Sequence, residues 1–540
     1  MTVASAQTDS FVRDRLPPKA QWPEFRYDLP EQQIQDQANV VTALFAKALA
    51  GGRADKPFLR APSQTLSYAQ ADAEVNRICG VLLHECRLVP GNRVLLRGGN
   101  SIEMALAWLA VVKAGLIAVA TMPLLRAKEL DQVADKALPA LALCEAHLLQ
   151  EMEQVAQVRS GKVPMIVFGD ATRADGLEAR SARQSAQYAG CPTAADDVAL
   201  LAFTSGTTGV PKACVTTHRE ILAACNAWPR HVLKATADDV VTGSPPLAFT
   251  FGLGGLLVFP MWAGASIYYP DGRYNPETMV RQMREHGVTI CYTAPTFYRQ
   301  MAPFMQSIGA PSLRICVSAG EALPDATRQL WKQATGIEML DGIGGTEVFH
   351  IYISSAGSEV RPGAIGKVVP GYIAKVVDDD DNEVARGTVG RLAMIGPTGC
   401  RYMQDERQTK YVTKGWNHPG DSFMQDEDGY FFYQARNDDM IVTAGYNVGG
   451  PEVEGCLLTH PSVAECGVVG KPDEARGMII KAFVVLKPGY QGDAALVKTL
   501  QDYVKNTIAP YKYPREIEFI TQLPRTETGK VQRYKLRQTP

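Results

Sequence analysis

The nine residues Thr204-Ser205-Gly206-Thr207-Thr208-Gly209-Val210-Pro211-Lys212 are the stretch that decides how this chain folds and what it binds. They follow an apolar run, residues 199–205, whose composition predicts a buried β-strand. Two glycines let the backbone turn tightly and point N–H groups at an anion, and four hydroxyl side chains add donors. Lys212 places a positive charge at the end of the loop. The stretch therefore predicts a loop that binds a triphosphate or a leaving pyrophosphate.

Two other interpretations of this stretch are weaker. A Ser/Thr-Gly surface turn would explain half of the string but not all nine residues in this order. A Walker A loop requires a second glycine five positions after Gly206, and this chain has Pro211 there. The phosphate loop is consequently of another type.

Outward from the loop, apolar strand-like runs alternate with amphipathic helical stretches. Residues 93–98 and 289–294 predict two further strands, and residues 276–286 and 323–334 predict helices. The second helix opens with a favourable Pro-Asp pair, Pro324-Asp325. This alternation predicts an α/β protein with layered, mostly parallel sheets.

Composition narrows the class of protein. A chain of 540 residues is too long for one core, so at least two domains are expected. The net charge of −2 gives no basic footprint for nucleic acid and no polybasic surface for a membrane. The 11 cysteines are scattered, without CxxC spacing, which favours reduced, buried thiols in a cytoplasmic protein.

One apolar segment, residues 104–125, is long enough to cross a membrane. Lys113 and Gly115 interrupt it and Pro123 ends it, so a buried helix followed by a parallel strand at residues 117–120 explains it better. The first 25 residues have no apolar segment of the signal-peptide type. We therefore expect no membrane association.

The C-terminal part of the chain predicts a separate small domain. Residues 378–382 are polar and predict a hairpin turn in a β-rich region. The best boundary lies at Arg436-Asn437-Asp438-Asp439, after an aromatic strand, and about a hundred residues remain beyond it, enough for a small α/β domain. We expect an N-terminal domain at 1–435, a hinge at 436–438 and a C-terminal domain at 439–540.

The nine-residue loop resembles the phosphate loop of the adenylate-forming superfamily, which includes acyl- and aryl-CoA ligases, luciferases and peptide-synthetase adenylation domains. Further stretches resemble the family's other motifs in the same order, so the resemblance covers nearly the whole chain. They are Ser318-Ala319-Gly320-Glu321-Ala322-Leu323-Pro324, Asp341-Gly342-Ile343-Gly344-Gly345-Thr346-Glu347, Gly415-Trp416 through Gly420-Asp421, Arg436, Asp438, and Pro524-Arg525-Thr526-Glu527-Thr528-Gly529-Lys530.

The resemblance implies an ATP-dependent ligase with ATP, Mg²⁺ and coenzyme A as cofactors, and a large N-terminal domain with a β-rich subdomain beneath a small mobile lid. It implies catalytic roles for Lys530, Thr346, Glu347 and Lys212, with Glu347 also the metal ligand. It assigns to ATP or AMP the residues Thr204, Ser205, Gly206, Thr207, Thr208, Gly209, Gly320, Glu321, Ala322, Asp341, Gly342, Ile343, Gly344, Asp421 and Arg436. It places the hinge at Asp438 and the approach of coenzyme A at Gly445 and Tyr446.

These roles agree with the chemistry of the side chains. A carboxylate such as Asp421 accepts two hydrogen bonds from the vicinal hydroxyls of ribose. Glu347 supplies the hard oxygen that Mg²⁺ prefers, and Lys530 is a flexible cation that can bridge a carboxylate and an α-phosphate. The chain departs from the family at Ile343, where tyrosine often stacks on adenine, and at His418-Pro419 before Gly420-Asp421.

The acid is expected to be aromatic. The stretch after Thr346-Glu347, with His350 and Ile351, and the N-terminal residues 16–25 are similar to benzoate- and 2-aminobenzoate-CoA ligases. Residues 246–252 predict a flat, apolar floor. The resemblance implies a pocket lined by Thr250, Phe251, Ala319, Gly320, Gly344, His350 and Ile351. Benzoate ligases tend to carry tyrosine where this chain has Phe251, which favours 2-aminobenzoate; plain benzoate stays open.

Three competing functions remain at this stage. A stand-alone adenylation enzyme would load a separate carrier protein, a luciferase-like enzyme would consume oxygen, and a non-catalytic relative would lack Lys530 or Glu347, which are both present. Lys471, Arg476 and Lys512 are candidates for the phosphates of coenzyme A, and the sequence does not choose among them. The expected partners are small molecules, with a homodimer among the allowed states.

Overall fold

The strands and helices of this chain are described from a computed structural model, which covers residues 3–158, 163–204, 211–272, 274–436, 439–443, 446–473, 476–525 and 530–539. In chain order the strands are Pro57–Arg60 (β1), Thr65–Ser67 (β2), Arg93–Arg97 (β3), Ile117–Thr121 (β4), Leu141–Glu145 (β5), Met165–Phe168 (β6), Val198–Thr204 (β7), Lys212–Thr217 (β8), Val240–Gly243 (β9), Ser266–Tyr268 (β10), Ile290–Thr293 (β11), Ile315–Ser318 (β12), Leu340–Gly344 (β13), Ile351–Ser354 (β14), Lys367–Val368 (β15), Ile373–Val377 (β16), Val389–Ile395 (β17), Val412–Thr413 (β18), Trp416–Asn417 (β19), Asp421–Gln425 (β20), Phe431–Arg436 (β21), Ile441–Thr443 (β22), Tyr446–Val448 (β23), Val463–Asp473 (β24), Gly477–Leu486 (β25) and Glu516–Phe519 (β26).

The α-helices precede, separate and follow these strands along the chain. They are Val40–Ala50 (α1), Tyr68–Gly80 (α2), Ile102–Lys113 (α3), Ala127–Ala137 (α4), Leu149–Val158 (α5), Leu177–Ser181 (α6), His218–Cys225 (α7), Thr250–Leu253 (α8), Phe259–Ala263 (α9), Pro276–Glu285 (α10), Pro295–Ser307 (α11), Asp325–Thr335 (α12), Gln408–Tyr411 (α13), Gly450–Leu458 (α14), Ala494–Thr507 (α15) and Arg533–Gln538 (α16).

Two large sheets are mostly parallel. The first has the order β6-β5-β3-β4-β7-β8 and is parallel except for the last pair. The second has the order β15-β14-β13-β12-β11-β9-β10-β1-β2, with a parallel centre and antiparallel pairs at both edges. This arrangement confirms the predicted layered α/β fold.

Two smaller sheets follow along the chain. Strands β16 to β21 form an antiparallel sheet, which is the predicted β-rich region, and residues 378–382 make the tight turn after β16. Strands β22 to β26 form a fourth sheet with helices α14 and α15 packed on it around a core of their own. The chain thus has the expected C-terminal α/β domain, and the hinge at residues 436–438 stays a proposal.

The apolar segment of residues 104–125 lies in the core, as expected. Helix α3 is buried along its whole length and β4 follows it as a central strand. Lys113 is accommodated there because its ammonium group lies 2.6 Å from Asp72 Oδ1 and 2.7 Å from Asn76 Oδ1. Within the part of the chain that the structure describes, no helix is long and apolar enough to cross a membrane.

Candidate active site

The two ends of the predicted phosphate loop are held side by side. Thr204 ends β7, Lys212 begins β8, and the two residues are register partners in the antiparallel pair. The Thr204 hydroxyl is buried and has no hydrogen-bond partner among the residues that the structure describes. Lys136 lies 3.5 Å from the carbonyl of Pro211 and 3.0 Å from Asp405 Oδ2, which ties the end of the loop to the β-rich region. Ser205, Gly206, Thr207, Thr208 and Gly209 lie outside the described residues.

Lys212 and Glu347 meet at a third side chain, Tyr402. Lys212 Nζ lies 3.0 Å from Glu347 Oε1 and 2.6 Å from the Tyr402 hydroxyl, which itself lies 2.7 Å from Glu347 Oε1. Burial raises the pKa of Glu347, but the charge of Lys212 and the Tyr402 hydrogen bond outweigh it, so the net pKa is lowered. Glu347 is consequently an ionised carboxylate next to the phosphate loop. Thr346 opens the short 3-10 turn that carries Glu347.

Sequence reasoning missed Tyr402. The residue lies in no motif that was recognised, because it follows β17 in a segment without regular secondary structure. The main chain of this segment nevertheless pairs with β8: Val215 N donates to the Arg401 carbonyl and Met403 N to the Ala213 carbonyl, both at 2.9 Å. The sequence shows only that Arg401 and Tyr402 are adjacent, and their burial is visible in the structure alone.

Asp421 and Arg436 form the second charged pair. They are register partners at the start of β20 and the end of β21, and Arg436 Nη1 lies 3.0 Å from Asp421 Oδ1. Burial raises the pKa of Asp421, and the charge of Arg436 partly offsets it. The same pairing raises the pKa of Arg436. The structure thus brings together two of the residues that were predicted to bind ATP or AMP.

Lys530 reaches the same place from the C-terminal domain. Gly320 has a φ of +92°, and a Cβ built on it would lie 3.7 Å from Lys530 Cε, so the lysine stem passes over this glycine. Lys530 is exposed as a residue, yet desolvation of its ammonium group, together with the charge of Arg436, lowers its pKa.

Three carboxylates lie close enough to act on the lysine in the opposite direction. The negative charges of Glu321, Asp421 and Glu347 act to raise the pKa of Lys530 and offset part of the lowering by desolvation. Burial raises the pKa of Glu321 in turn, although its partner Thr296 donates to Oε2 at 3.4 Å. Three of the four acidic residues assigned to the nucleotide site therefore act on the charge of Lys530.

The turn from β13 to β14 requires small residues. Asp341 is buried, and burial raises its pKa to about 6, with Arg328 acting against it. A Cβ on Gly342 would meet Ile351 Cγ2 at 2.8 Å, and one on Gly344 would meet the His350 carbonyl at 2.4 Å. Ile343 is half-buried between these glycines. Glycine is therefore required at positions 342 and 344 by close contacts with residues 350 and 351, and the residue between them is Ile343 rather than an aromatic one.

The predicted acid pocket contains an aromatic cage made of Trp228, Phe251, Phe259, Tyr292 and His350. His350 lies at its centre, with ring centroids 5.2 Å from Trp228, 5.7 Å from Phe251 and 4.5 Å from Phe259. The ring centroid of Tyr292 lies 5.8 Å from that of Phe251 and 6.3 Å from that of Trp228. Thr250, Ala319 and Ile351 are also buried, and Thr250 and Ile351 adjoin Phe251 and His350 in the chain. Trp228, Phe259 and Tyr292 were not among the predicted residues.

Polar atoms in this cage are unpaired. Within the described residues, Trp228 Nε1, the Tyr292 hydroxyl and both ring nitrogens of His350 make no hydrogen bond. Burial lowers the pKa of His350 to about 3, and the nearby backbone of Phe251 only slightly offsets this, so the imidazole is neutral. The cage is thus an apolar surface with several unused donors and acceptors.

The predicted site of coenzyme A is less well defined. Asp438 and Gly445 lie outside the described residues, and Tyr446 is described only as part of β23. Lys471 lies 2.9 Å from Glu516 Oε2, and Lys512 lies 2.6 Å from Glu452 Oε1. Arg476 is exposed. Two of the three basic candidates are therefore already paired with carboxylates.

Comparison with known proteins finds two family matches. The AMP-binding enzyme family matches residues 45–402, and the AMP-binding enzyme C-terminal domain matches residues 452–530. A benzoate–CoA ligase from Thauera aromatica is 35% identical over 517 residues, covering 94% of this chain and 97% of that protein. A 3-hydroxybenzoate–CoA ligase from Aromatoleum sp. (strain CIB) is 30% identical, covering 93% of this chain and 96% of that protein.

Solved structures agree. The anthranilate CoA ligase AuaEII in complex with anthranoyl-AMP superimposes with a TM-score of 0.89 at 32% identity, covering 94% of this chain and 98% of that chain. A benzoate CoA ligase from Burkholderia xenovorans LB400 has a TM-score of 0.85 at 30% identity, covering 93% and 100%. The chain therefore belongs to the AMP-binding enzyme family, the adenylate-forming enzymes.

Proposed function

We propose that the chain is an ATP-dependent aryl-CoA ligase that activates benzoate or 2-aminobenzoate. A carboxylate oxygen of the acid attacks the α-phosphorus of ATP and pyrophosphate leaves; the thiol of coenzyme A then attacks the carbonyl carbon and AMP leaves. The observation that carries the proposal is the position of Lys530 over Gly320, which follows β12. The neighbouring strand β13 ends at Gly344, which packs against the main chain of His350 in the aromatic cage. A benzoyl-adenylate would need both the charge of Lys530 at its phosphate and the aromatic cage around its ring.

The nucleotide roles follow from the charges at this edge. The N–H groups of residues 204–209 and the ammonium of Lys212 would bind the phosphates, and Asp421 with Arg436 would bind the ribose. Gly320, Glu321, Ala322 and the β13 residues from Asp341 to Gly344 would enclose the adenosine. Lys530 would neutralise the repulsion between the carboxylate and the α-phosphate as they approach, which is the main electrostatic task of the first step.

Magnesium fits the residues present. Mg²⁺ is usually held by one or two carboxylates together with phosphate oxygens. Glu347 supplies one ionised carboxylate, and Thr346 adds a hydroxyl beside it. When bound, the ion would offset the negative charge of the triphosphate. The lowered pKa of Glu347 keeps that carboxylate available throughout the neutral pH range.

The acid pocket supports an aromatic substrate. Burying apolar ring surface gains about 25 cal/mol for each Å², so acetate should lose several kcal/mol of binding relative to a benzoate. The unpaired polar atoms of the cage favour an acid whose ring carries a hydrogen-bonding substituent, because an unpaired buried donor costs about 1–3 kcal/mol. We propose that Thr250, Phe251, Ala319, Gly344, His350 and Ile351 line this pocket.

The proposal is tested by acid-dependent AMP formation in the presence of coenzyme A. The acids are benzoate, its amino, hydroxy and fluoro derivatives, phenylacetate, acetate and a long-chain fatty acid. We expect the benzoates to have the highest kcat/KM, with the amino derivatives among the best. If acetate or the fatty acid is used faster than every benzoate, the aromatic substrate class is wrong.

A second candidate is a stand-alone adenylation enzyme that loads a carrier protein. Pyrophosphate exchange without thioester formation from free coenzyme A would support that alternative. The coenzyme A proposal places the hinge at Asp438 and the approach of pantetheine at Gly445 and Tyr446, where a side chain on the glycine would obstruct the thiol.

A further inference from the structure

Lys212, Tyr402 and Glu347 form a closed triangle whose hydrogen-bond directions are set by their chemistry. A lysine ammonium only donates and an ionised carboxylate only accepts. The Tyr402 hydroxyl, 2.6 Å from Lys212 Nζ and 2.7 Å from Glu347 Oε1, must therefore accept from the lysine and donate to the glutamate. Both contacts to the carboxylate end on Oε1, so neither uses Oε2.

Tyr402 is held in place by contacts to its main chain and to its ring. Its backbone N–H donates to Gln408 Oε1 at 2.8 Å, and its ring packs edge-on against Tyr411 at 5.7 Å. The neighbouring residues on both sides pair with β8, and Tyr402 itself is 1% exposed. A tyrosine hydroxyl carries its proton at neutral pH, so it remains a donor. A fixed, neutral donor next to a carboxylate orients that carboxylate.

The triangle also has a consequence for the lysine. Lys212 pairs with Glu347, yet the phosphates of a bound nucleotide would draw the same ammonium group away. Tyr402 cannot follow the lysine because its main chain is tied to β8. Its hydroxyl would keep Oε1 of Glu347 occupied while Lys212 changes partner, and would leave Oε2 to a cation.

We propose that Tyr402 is a positioning residue, which holds Glu347 in place for the magnesium ion of the nucleotide and frees Lys212 for the phosphates. This inference rests on the proposed ligase function, because it concerns the nucleotide that the ligase consumes. If Tyr402 has this role, removing its hydroxyl should change the dependence of ATP binding on Mg²⁺. If Tyr402 only stabilises the fold, the Mg²⁺ dependence should stay the same.

The experiment measures ATP binding to the full chain by calorimetry, without any acid, across a range of Mg²⁺ concentrations. Tyr402→Phe keeps the ring and removes only the hydroxyl. We expect the Mg²⁺ concentration for half-maximal ATP binding to rise about tenfold, because a hydrogen bond to a charged group is lost. Weak binding of ATP without Mg²⁺ should change by less than about twofold.

A matched control separates this effect from lost stability. Tyr68→Phe also removes a buried tyrosine hydroxyl, which donates a hydrogen bond of 2.8 Å to the Ala265 carbonyl. Neither residue belongs to the Lys212, Tyr402 and Glu347 triangle. Tyr68→Phe should lower the melting temperature by an amount similar to Tyr402→Phe without changing the Mg²⁺ dependence. If both variants shift the Mg²⁺ dependence equally, the positioning role is overturned.

A double-mutant cycle completes the test. In a Glu347→Gln background the carboxylate is absent, so Tyr402→Phe should have no further effect on the Mg²⁺ dependence. An equally large effect in both backgrounds would show that Tyr402 does not act through Glu347 and would overturn the inference. Because no acid is present, these results are independent of substrate; a wild-type protein without acid-dependent pyrophosphate exchange would instead overturn the ligase proposal.

Discussion

Phe251 is one of the residues that we propose line the acid pocket, at a position where the resemblance implies tyrosine in benzoate ligases. Its ring lies 5.8 Å from Tyr292 and 5.7 Å from His350 and is only half-buried. We expect Phe251→Tyr to lower kcat/KM for 2-substituted benzoates more than for benzoate, because the new hydroxyl would crowd or compete with an ortho substituent. Steady-state kinetics with benzoate as the internal control measure this. Equal losses for both acids would remove Phe251 from the specificity argument.

Asp341 is a residue whose charge costs stability. Its folded-state pKa of about 6 lies above the ordinary value of 3.8, so the folded protein binds the proton more tightly. Stability should therefore fall as pH rises from about 4 to about 6 and stay low above that range. We expect Asp341→Asn to be more stable than the wild type by about 1–3 kcal/mol at pH 7.

The Asp341→Asn difference should shrink toward pH 4, where the carboxyl is protonated in the folded protein and close to its ordinary pKa of 3.8 in the unfolded chain. Urea unfolding of both proteins at pH values from 4 to 8 measures it. A constant difference across this range would mean that the charge of Asp341 is not its cause.

At the scale of an element, helix α7 is joined to the segment that carries Tyr402. Glu220 caps the helix by accepting from Thr217 N at 2.9 Å, and it also forms a buried ion pair with Arg401. The Arg401 guanidinium lies 5.1 Å from the ring of Trp22 and 5.0 Å from that of Phe25, so the N-terminal segment covers the pair. One ion pair thus connects three parts of the chain.

Breaking this connection should be costly. Arg401→Met removes the cation and leaves the Glu220 carboxylate buried, which we expect to destabilise the protein by about 3–5 kcal/mol. Glu220→Gln in the same protein should recover part of that loss, because the uncompensated charge is then gone. Melting temperatures of the single and double variants measure this; a double variant less stable than Arg401→Met would contradict the explanation.

At the scale of the whole molecule, the two half-reactions are expected to use different residues of the C-terminal domain. Lys530 lies over Gly320, and we propose that it acts there on the carboxylate and the α-phosphate. We expect Lys530→Ala to slow adenylation by two to three orders of magnitude or more, because the bridging charge is lost. Thioester formation from synthetic aryl-AMP should survive, since by family resemblance the domain has then rotated and withdrawn the lysine.

Two further variants test the other half of this rotation. Gly445→Leu should leave pyrophosphate exchange largely intact while obstructing pantetheine, and Asp438→Pro should restrict the backbone φ at the proposed hinge and so spare at most one half-reaction. Pyrophosphate exchange and thioester synthesis from synthetic adenylate are measured on all three variants. If Lys530→Ala and Gly445→Leu depress both half-reactions equally, the rotating domain does not operate in this chain.

The amino-acid sequence alone determined the fold class and predicted where the nucleotide site lies. The motifs from Thr204 to Lys530 are short sequence patterns, and so is the apolar strand before the loop. Such patterns can be recognised from the sequence without a structure. The same holds for helix α3 and strand β4, because Lys113, Gly115 and Pro123 interrupt the apolar segment.

Only the tertiary structure revealed the partners of the motif residues. Tyr402 meets Lys212 across 190 positions and Glu347 across 55, and Arg401 meets Glu220 across 181. Trp228 and Tyr292 join the aromatic cage from strands and helices that carry no motif. Hydrophobic periodicity states which face of an element is buried but not which distant element covers it, because that pairing is set by the packing of the whole core.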